Sequence, residues 1–136
     1  MSEQPSIVPA GMTDRMWNRI TRMLIDTGRP PHYAEVASVL GVSPAESRRI
    51  LHAVLEAYPI GWLHPETDYI ASFPPLNGLP TQYRVTVRGE QKWFAQCGFE
   101  ATSVPWLFPV DPPTVVGHLN YGFGPSRDAR RFSERV

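Results

Sequence analysis

One cysteine stands in this 136-residue chain, Cys97, and a carboxylate follows three residues later at Glu100. Three residues is nearly one helical turn, so on a helix the two side chains share a face. The run from Gln91 to Ala95 reads as a strand, and Cys97 to about Ser103 as a short helix stopped ahead of Pro105. A thiol at such a junction meets amide N–H groups that favour thiolate, the form that attacks electrophiles and binds soft metals. A carboxylic acid beside it would supply a proton. Trp93, Phe99 and Trp106 are the aromatic candidates to line a pocket around the pair. The alternative is an inert core thiol, because free cysteine is among the most buried residue types. Being single, Cys97 excludes an internal disulfide and any site built from two cysteines of one chain.

A second set of residues points to nucleic acid. Arg48, Arg49 and His52 fall on what reads as the third helix, where a recognition helix would offer them to a groove, and Arg15, Arg19 and Arg22 stripe the first. Residues 1–60 nevertheless hold six arginines and six acidic residues, so that half has no net positive footprint. The histidines His32, His52, His64 and His118 are dispersed, with no pair at metal-ligand spacing. His64, Glu66 and Asp68 cluster in what reads as a solvated turn. Gly122-Phe123-Gly124 lacks the lysine and hydroxyl residue of a phosphate loop.

The elements that must position these residues are legible in outline. Residues 1–12, with Pro5, Pro9 and Gly11, read as a flexible arm. Thr13 is the expected N-cap of a helix along which Met16, Ile20, Met23 and Leu24 recur, stopped by Gly28 and Pro30. A second helix spans Tyr33 to Leu40, with Gly41 at the left-handed C-terminal position. Ser43, Pro44 and Glu46 predict a capping box with proline at the first helical position of a third helix. Ile50, Leu51, Val54, Leu55 and Tyr58 form its apolar face, and Pro59 and Gly61 end it. The helical region therefore covers 13–61, and the tight turn between its second and third helices has a helix-turn-helix outline.

Residues 62–136 change character and are expected to pack with the helices as one domain. Tyr69 to Phe73 is a candidate strand, Pro74 to Pro80 a turn-rich loop, and Tyr83, Val85 and Val87 alternate with polar residues in a half-exposed strand. A turn at Gly89-Glu90 leads into Gln91 to Ala95, so helices followed by a hairpin give a winged-helix outline. Val115-Val116 is a possible short strand, and Arg127 to Arg135 a possible terminal helix.

Thirteen basic and thirteen acidic residues cancel, which argues against a bulk-electrostatic nucleic-acid coat or a polybasic membrane binder. A 42% apolar fraction supports a packed core. No apolar run approaches the ~20 residues of a membrane span, and the N-terminus lacks a signal-peptide pattern. The expected setting is the cytoplasm. Twelve arginines against the single Lys92 fit a GC-rich, bacterial genome.

The run Trp93-Phe94-Ala95-Gln96-Cys97-Gly98-Phe99-Glu100-Ala101-Thr102-Ser103-Val104-Pro105 resembles the active-site segment of the alkylmercury lyases, or organomercurial lyases. In that family an aromatic, an alanine and one more residue precede the first catalytic cysteine, an aspartate follows it by three residues, and a proline by eight. Cys97, Glu100 and Pro105 keep those offsets. Gly28-Arg29-Pro30 and the pattern to Leu40 look like the family's N-terminal region, and Tyr121 to Phe132 is more faintly similar to its C-terminal end. The resemblance implies protonolysis of a carbon–mercury bond, with Cys97 as the first mercury ligand and Glu100, one methylene longer, in place of the aspartate. The family's second cysteine has no counterpart here. A homodimer would be one way to bring two such thiols together.

The expected architecture is therefore α+β: a three-helix, winged-helix-like part joined to a small alkylmercury-lyase-like mixed sheet region. The expected function is lyase-type proton transfer on a small substrate, or binding of a soft metal or ligand, with no cofactor. The alternative is a winged-helix module binding DNA or protein.

Overall fold

The computed structural model describes residues 8–109 throughout, and the backbone of 114–118 and 131–135. The first helix, α1 (Met12–Thr27), buries Met16, Ile20 and Leu24, the i, i+4 series of its sequence. It begins one residue before the expected cap. Gly11, at φ 76°, is the N-cap, and Asp14 lies in the first turn. At the other end Gly28, at φ 75°, donates its N–H to the Leu24 carbonyl. Of the expected arm, Met12 belongs to α1 and Val8 packs against the core; residues 1–7 lie outside the described residues.

A reciprocal capping box opens α2 (Tyr33–Leu40), at His32 and not at Ser43. His32 Nδ1 accepts the Ala34 N–H, and the Glu35 carboxylate accepts the His32 N–H at 2.7 Å. Ser43 does cap α3 (Pro44–Ala57), its hydroxyl accepting the Glu46 N–H at 3.2 Å. The Glu46 carboxylate instead takes Arg49, three residues on, which corrects the expected box. The buried Ser47 hydroxyl ties α3 to α2 by donating to the Tyr33 carbonyl.

Among the described residues seven antiparallel strands follow: β1 (Trp62–Leu63), β2 (Ile70–Phe73), β3 (Leu76–Asn77), β4 (Tyr83–Val87), β5 (Glu90–Ala95), β6 (Thr114–His118) and β7 (Arg131–Arg135). Their spatial order is β1-β2-β3-β5-β4-β6-β7. The protein is thus α+β. The hairpin turn lies one residue earlier than expected, at Arg88 and Gly89, both with positive φ, the signature of a two-residue turn that matches strand twist. Two further expectations are corrected. The Pro74 to Pro80 loop contains β3, and Arg131–Arg135 is a strand, not a helix. That strand pairs along all five residues of β6, and the ladder outweighs a weak local helical tendency. Residues 127–130 of the expected helix lie outside the described residues.

One buried cluster joins the two halves, with Met16, Ile20, Ile50 and Val54 from helices and Phe73, Leu76, Val85 and Trp93 from strands. Trp93, on β5, donates its indole N–H to the carbonyls of Leu24 and Ile25 at 3.2 and 2.9 Å. These belong to the last turn of α1, where a helix leaves carbonyls without intrahelical donors. Gly28 permits the approach: a Cβ there would lie 2.5 Å from Lys92 Cγ and 2.8 Å from its carbonyl oxygen. Among the described residues, no helix is long and apolar enough to cross a membrane.

Candidate functional site

Cys97 is held from the residue before it. Gln96 donates its N–H to the Pro75 carbonyl at 2.9 Å, and its amide Nε2 to Ile60 O and Ser72 Oγ at 2.7 and 2.8 Å. The chain then turns out of β5 into α4 (Gly98–Ser103), with Cys97 as the extended N-cap residue. The Cys97 sulfur accepts the Glu100 N–H at 3.5 Å, and its carbonyl accepts the Ala101 N–H. The thiol is exposed, so the inert-core reading of this cysteine is set aside.

Glu100 is half-buried on the first turn of α4. Ser103 Oγ lies 3.4 Å from its carboxylate oxygen and donates at 2.8 Å to its main-chain carbonyl. Sequence spacing thus puts Cys97 and Glu100 on one helical turn, and the structure keeps them there. The arrangement sets a sulfur and a carboxyl side chain on one exposed turn, joined through the Glu100 N–H.

The aromatic residues are not gathered around that pair. Trp93 is buried against α1 and stacks edge-on against Phe108, with centroids 5.0 Å apart. Phe99 and Trp106 are 80% and 86% exposed. The physical reason is the brevity of α4, which buries none of its residues, so Phe99 projects outward. In the 3-10 turn Val104–Leu107 that follows, Val104 takes the core position and Trp106 faces away. These corrections leave a thiol at an open surface.

A residue that pattern reading missed is Tyr83. A Cβ on Gly98 would lie 2.9 Å from the Tyr83 hydroxyl, so the ring is packed against the start of α4 beside Cys97. Its place on the inward-facing series of β4 was the one available signal.

The basic residues of α3 form a separate group. Ala45, Arg48, Arg49 and His52 line an open groove of about 420 Å³. Arg48 Nε donates to Asp68 Oδ2 at 2.7 Å, and His52 Nε2 lies 2.7 Å from Oδ1 of the same carboxylate. The Arg48 guanidinium, and then His52, hold the Asp68 carboxyl below its ordinary range. Arg49 likewise lowers Glu46. Asp68 is therefore a bridge between a loop and α3, not the solvated turn residue expected. His32 serves as a cap. Among the described residues, no group of three His, Cys, Asp or Glu side chains is placed to hold a metal ion. No family model and no curated protein sequence matches the chain.

Proposed function

We propose that this chain is a divergent alkylmercury-lyase-like protein in which the Cys97 thiolate captures a soft electrophile and Glu100 is the proton donor. The observation that carries the reading is the exposed Cys97 sulfur, capping α4 and accepting the N–H of Glu100 itself. An ionised sulfur gains more from that donor than a neutral one. Organomercury is the model substrate. Its mercury bonds to the Cys97 thiolate as the counter-anion leaves, and the carbon–mercury bond then breaks with its electron pair taking the Glu100 proton, which leaves Glu100 as carboxylate. Hydrocarbon leaves, and Hg(II) stays on sulfur.

Capture is the stronger half of this chemistry. Mercury(II) prefers soft thiolate ligands, and a carboxylate does not replace a second sulfur. With one cysteine per chain, carbon–mercury cleavage is slow or absent unless external thiol supplies the second donor. The test is incubation with a phenylmercury salt, with and without added thiol, measuring bound mercury and released benzene beside Cys97→Ser and Glu100→Gln. The expected result is stoichiometric capture lost in Cys97→Ser, with little benzene. Rapid multiple turnover without added thiol, abolished in both variants, would refute the two-thiol argument. Failure of Cys97 to react with thiol reagents in the folded protein would remove the site.

A second reading, a winged-helix interaction module, is favoured by three helices preceding a sheet that contains the β4–β5 hairpin, with β1 to β3 between, and by the basic groove on α3. Asp68 and Glu46 already occupy Arg48 and Arg49. A gel-shift titration distinguishes the readings. Wild type should show no micromolar duplex binding at physiological salt. Such binding, lost in Arg48→Ala with Arg49→Ala and steep in salt, would favour the module.

A further inference from the structure

We propose that the groove between α1 and the residues after α3 binds a small alkylated ammonium cation, quaternary for preference. Asp14, Trp17 and Asn18 of α1 line it with Tyr58 and Ile60, and its volume is about 430 Å³. That is room for a compact head group with a short tail, at the small end of ligand sites (~300–1,000 Å³). Trp17 and Tyr58 stand with ring centroids 5.2 Å apart and planes at 62°. Trp17 also leans on Phe73 at 4.4 Å, which fixes its ring, while Tyr58 is 44% exposed. Two aromatic rings set at an angle form a corner, and a cation resting against it is attracted by their quadrupoles.

Charge selects the class of ligand. Among the described residues no side chain pairs with the Asp14 carboxylate, and no lysine or arginine lines the groove. The last turn of α3 carries no basic residue, so its carbonyl end adds negative potential near Tyr58. Anions are thereby disfavoured. A primary ammonium needs acceptors for three N–H groups, and this lining is largely aromatic and aliphatic. An alkylated head has few or no N–H groups to satisfy and loses less hydration. Asn18 donates its side-chain N–H to the Asp14 carbonyl at 2.9 Å, leaving its amide oxygen as an acceptor for a polar tail. Asp14 also faces the positive end of α1, a structural role that the circular dichroism of Asp14→Asn checks beside its effect on binding. This site is independent of Cys97.

The experiment titrates the full chain with tetramethylammonium chloride, at ionic strength held constant with sodium chloride, and follows the Trp17 indole N–H resonance. Neopentyl alcohol serves as a neutral probe of similar shape. The expected result is saturation with a Kd on the order of 1 mM, and about tenfold weaker binding of the neutral probe. Asp14→Asn and Tyr58→Leu should each weaken binding roughly three- to tenfold, with far-UV circular dichroism unchanged. Equal binding of the neutral probe, a non-saturating response, or indifference to both substitutions would overturn the proposal. A trimethyl-lysine tripeptide binding more than about tenfold tighter than tetramethylammonium would overturn the small-molecule assignment.

Discussion

Replacing Trp93 by phenylalanine isolates the contact that fastens the sheet to α1. The two carbonyls it reaches are not equally dependent on it. Leu24 O keeps the Gly28 N–H at 2.8 Å. Ile25 O loses its donor, because the Arg29 N–H that would continue the helical ladder goes to Thr27 Oγ1 at 3.2 Å. An acceptor left unpaired in a part-buried place costs about 1–2 kcal/mol. The smaller ring, at a position 5% exposed, adds about 1 kcal/mol of lost packing. The sum is roughly 2–3 kcal/mol. At about 2.1 cal/mol/K per residue, unfolding 136 residues carries an entropy near which 1 kcal/mol shifts Tm by about 3–4 °C. Trp93→Phe should therefore melt about 7–10 °C lower by circular dichroism. Trp106→Phe, at an 86% exposed position, is the control and should melt with the wild type. A Trp93→Phe shift under about 2 °C would refute the assignment of the indole as the anchor of α1.

Gly28→Ala should cost about 2 kcal/mol or more in chemical denaturation, from left-handed backbone strain and the collision of its Cβ with Lys92. Ser43→Ala should cost about 1 kcal/mol and Glu46→Ala less, since only the serine caps α3; identical midpoints for wild type and Ser43→Ala would place the helix start elsewhere. Glu35 is drawn down to about 2 by its hydrogen bonds from Arg29 and from the His32 N–H. A carboxyl lowered on folding stabilises above its unfolded value, and that contribution fades as pH falls from about 5 towards 2. Glu35→Gln should flatten the acid limb of a stability–pH curve in that window, and superimposable limbs would contradict the Arg29–Glu35 pairing.

The helices were legible because local rules govern them. Met16, Ile20 and Leu24 announce α1 by spacing, and Gly28 and Gly41 announce the ends of α1 and α2 by their need for positive φ. Tyr83 and Val85 likewise alternate as a strand should. What stayed hidden depends on partners distant in sequence. Nothing near Arg131 indicates that it will line up against His118. Nothing near Leu76 and Asn77 marks a strand until Phe94 and Ala95 lie opposite. Asp68 looks solvated until α3 presents Arg48 and His52. At the site, the offset of Glu100 from Cys97 was readable because it is a helical spacing. The outward projection of Phe99 and Trp106 was not, because it depends on how little of α4 the core covers.

The two residues of β3 have a consequence for how the molecule breathes. Among the described residues they are the only strand pairing that joins β1 and β2 to the remainder of the sheet, through Leu76 with Ala95 and Asn77 with Phe94. A ladder this short is the natural boundary between cooperative units of opening, and amide exchange should divide there. Gln96 is the staple across the seam, fastened on its far side to Pro75, Ile60 and Ser72. Cys97 comes next in the chain. The exposed Cys97 thiol therefore sits at the border of two such units, where each opening of the seam alters the backbone that aims it.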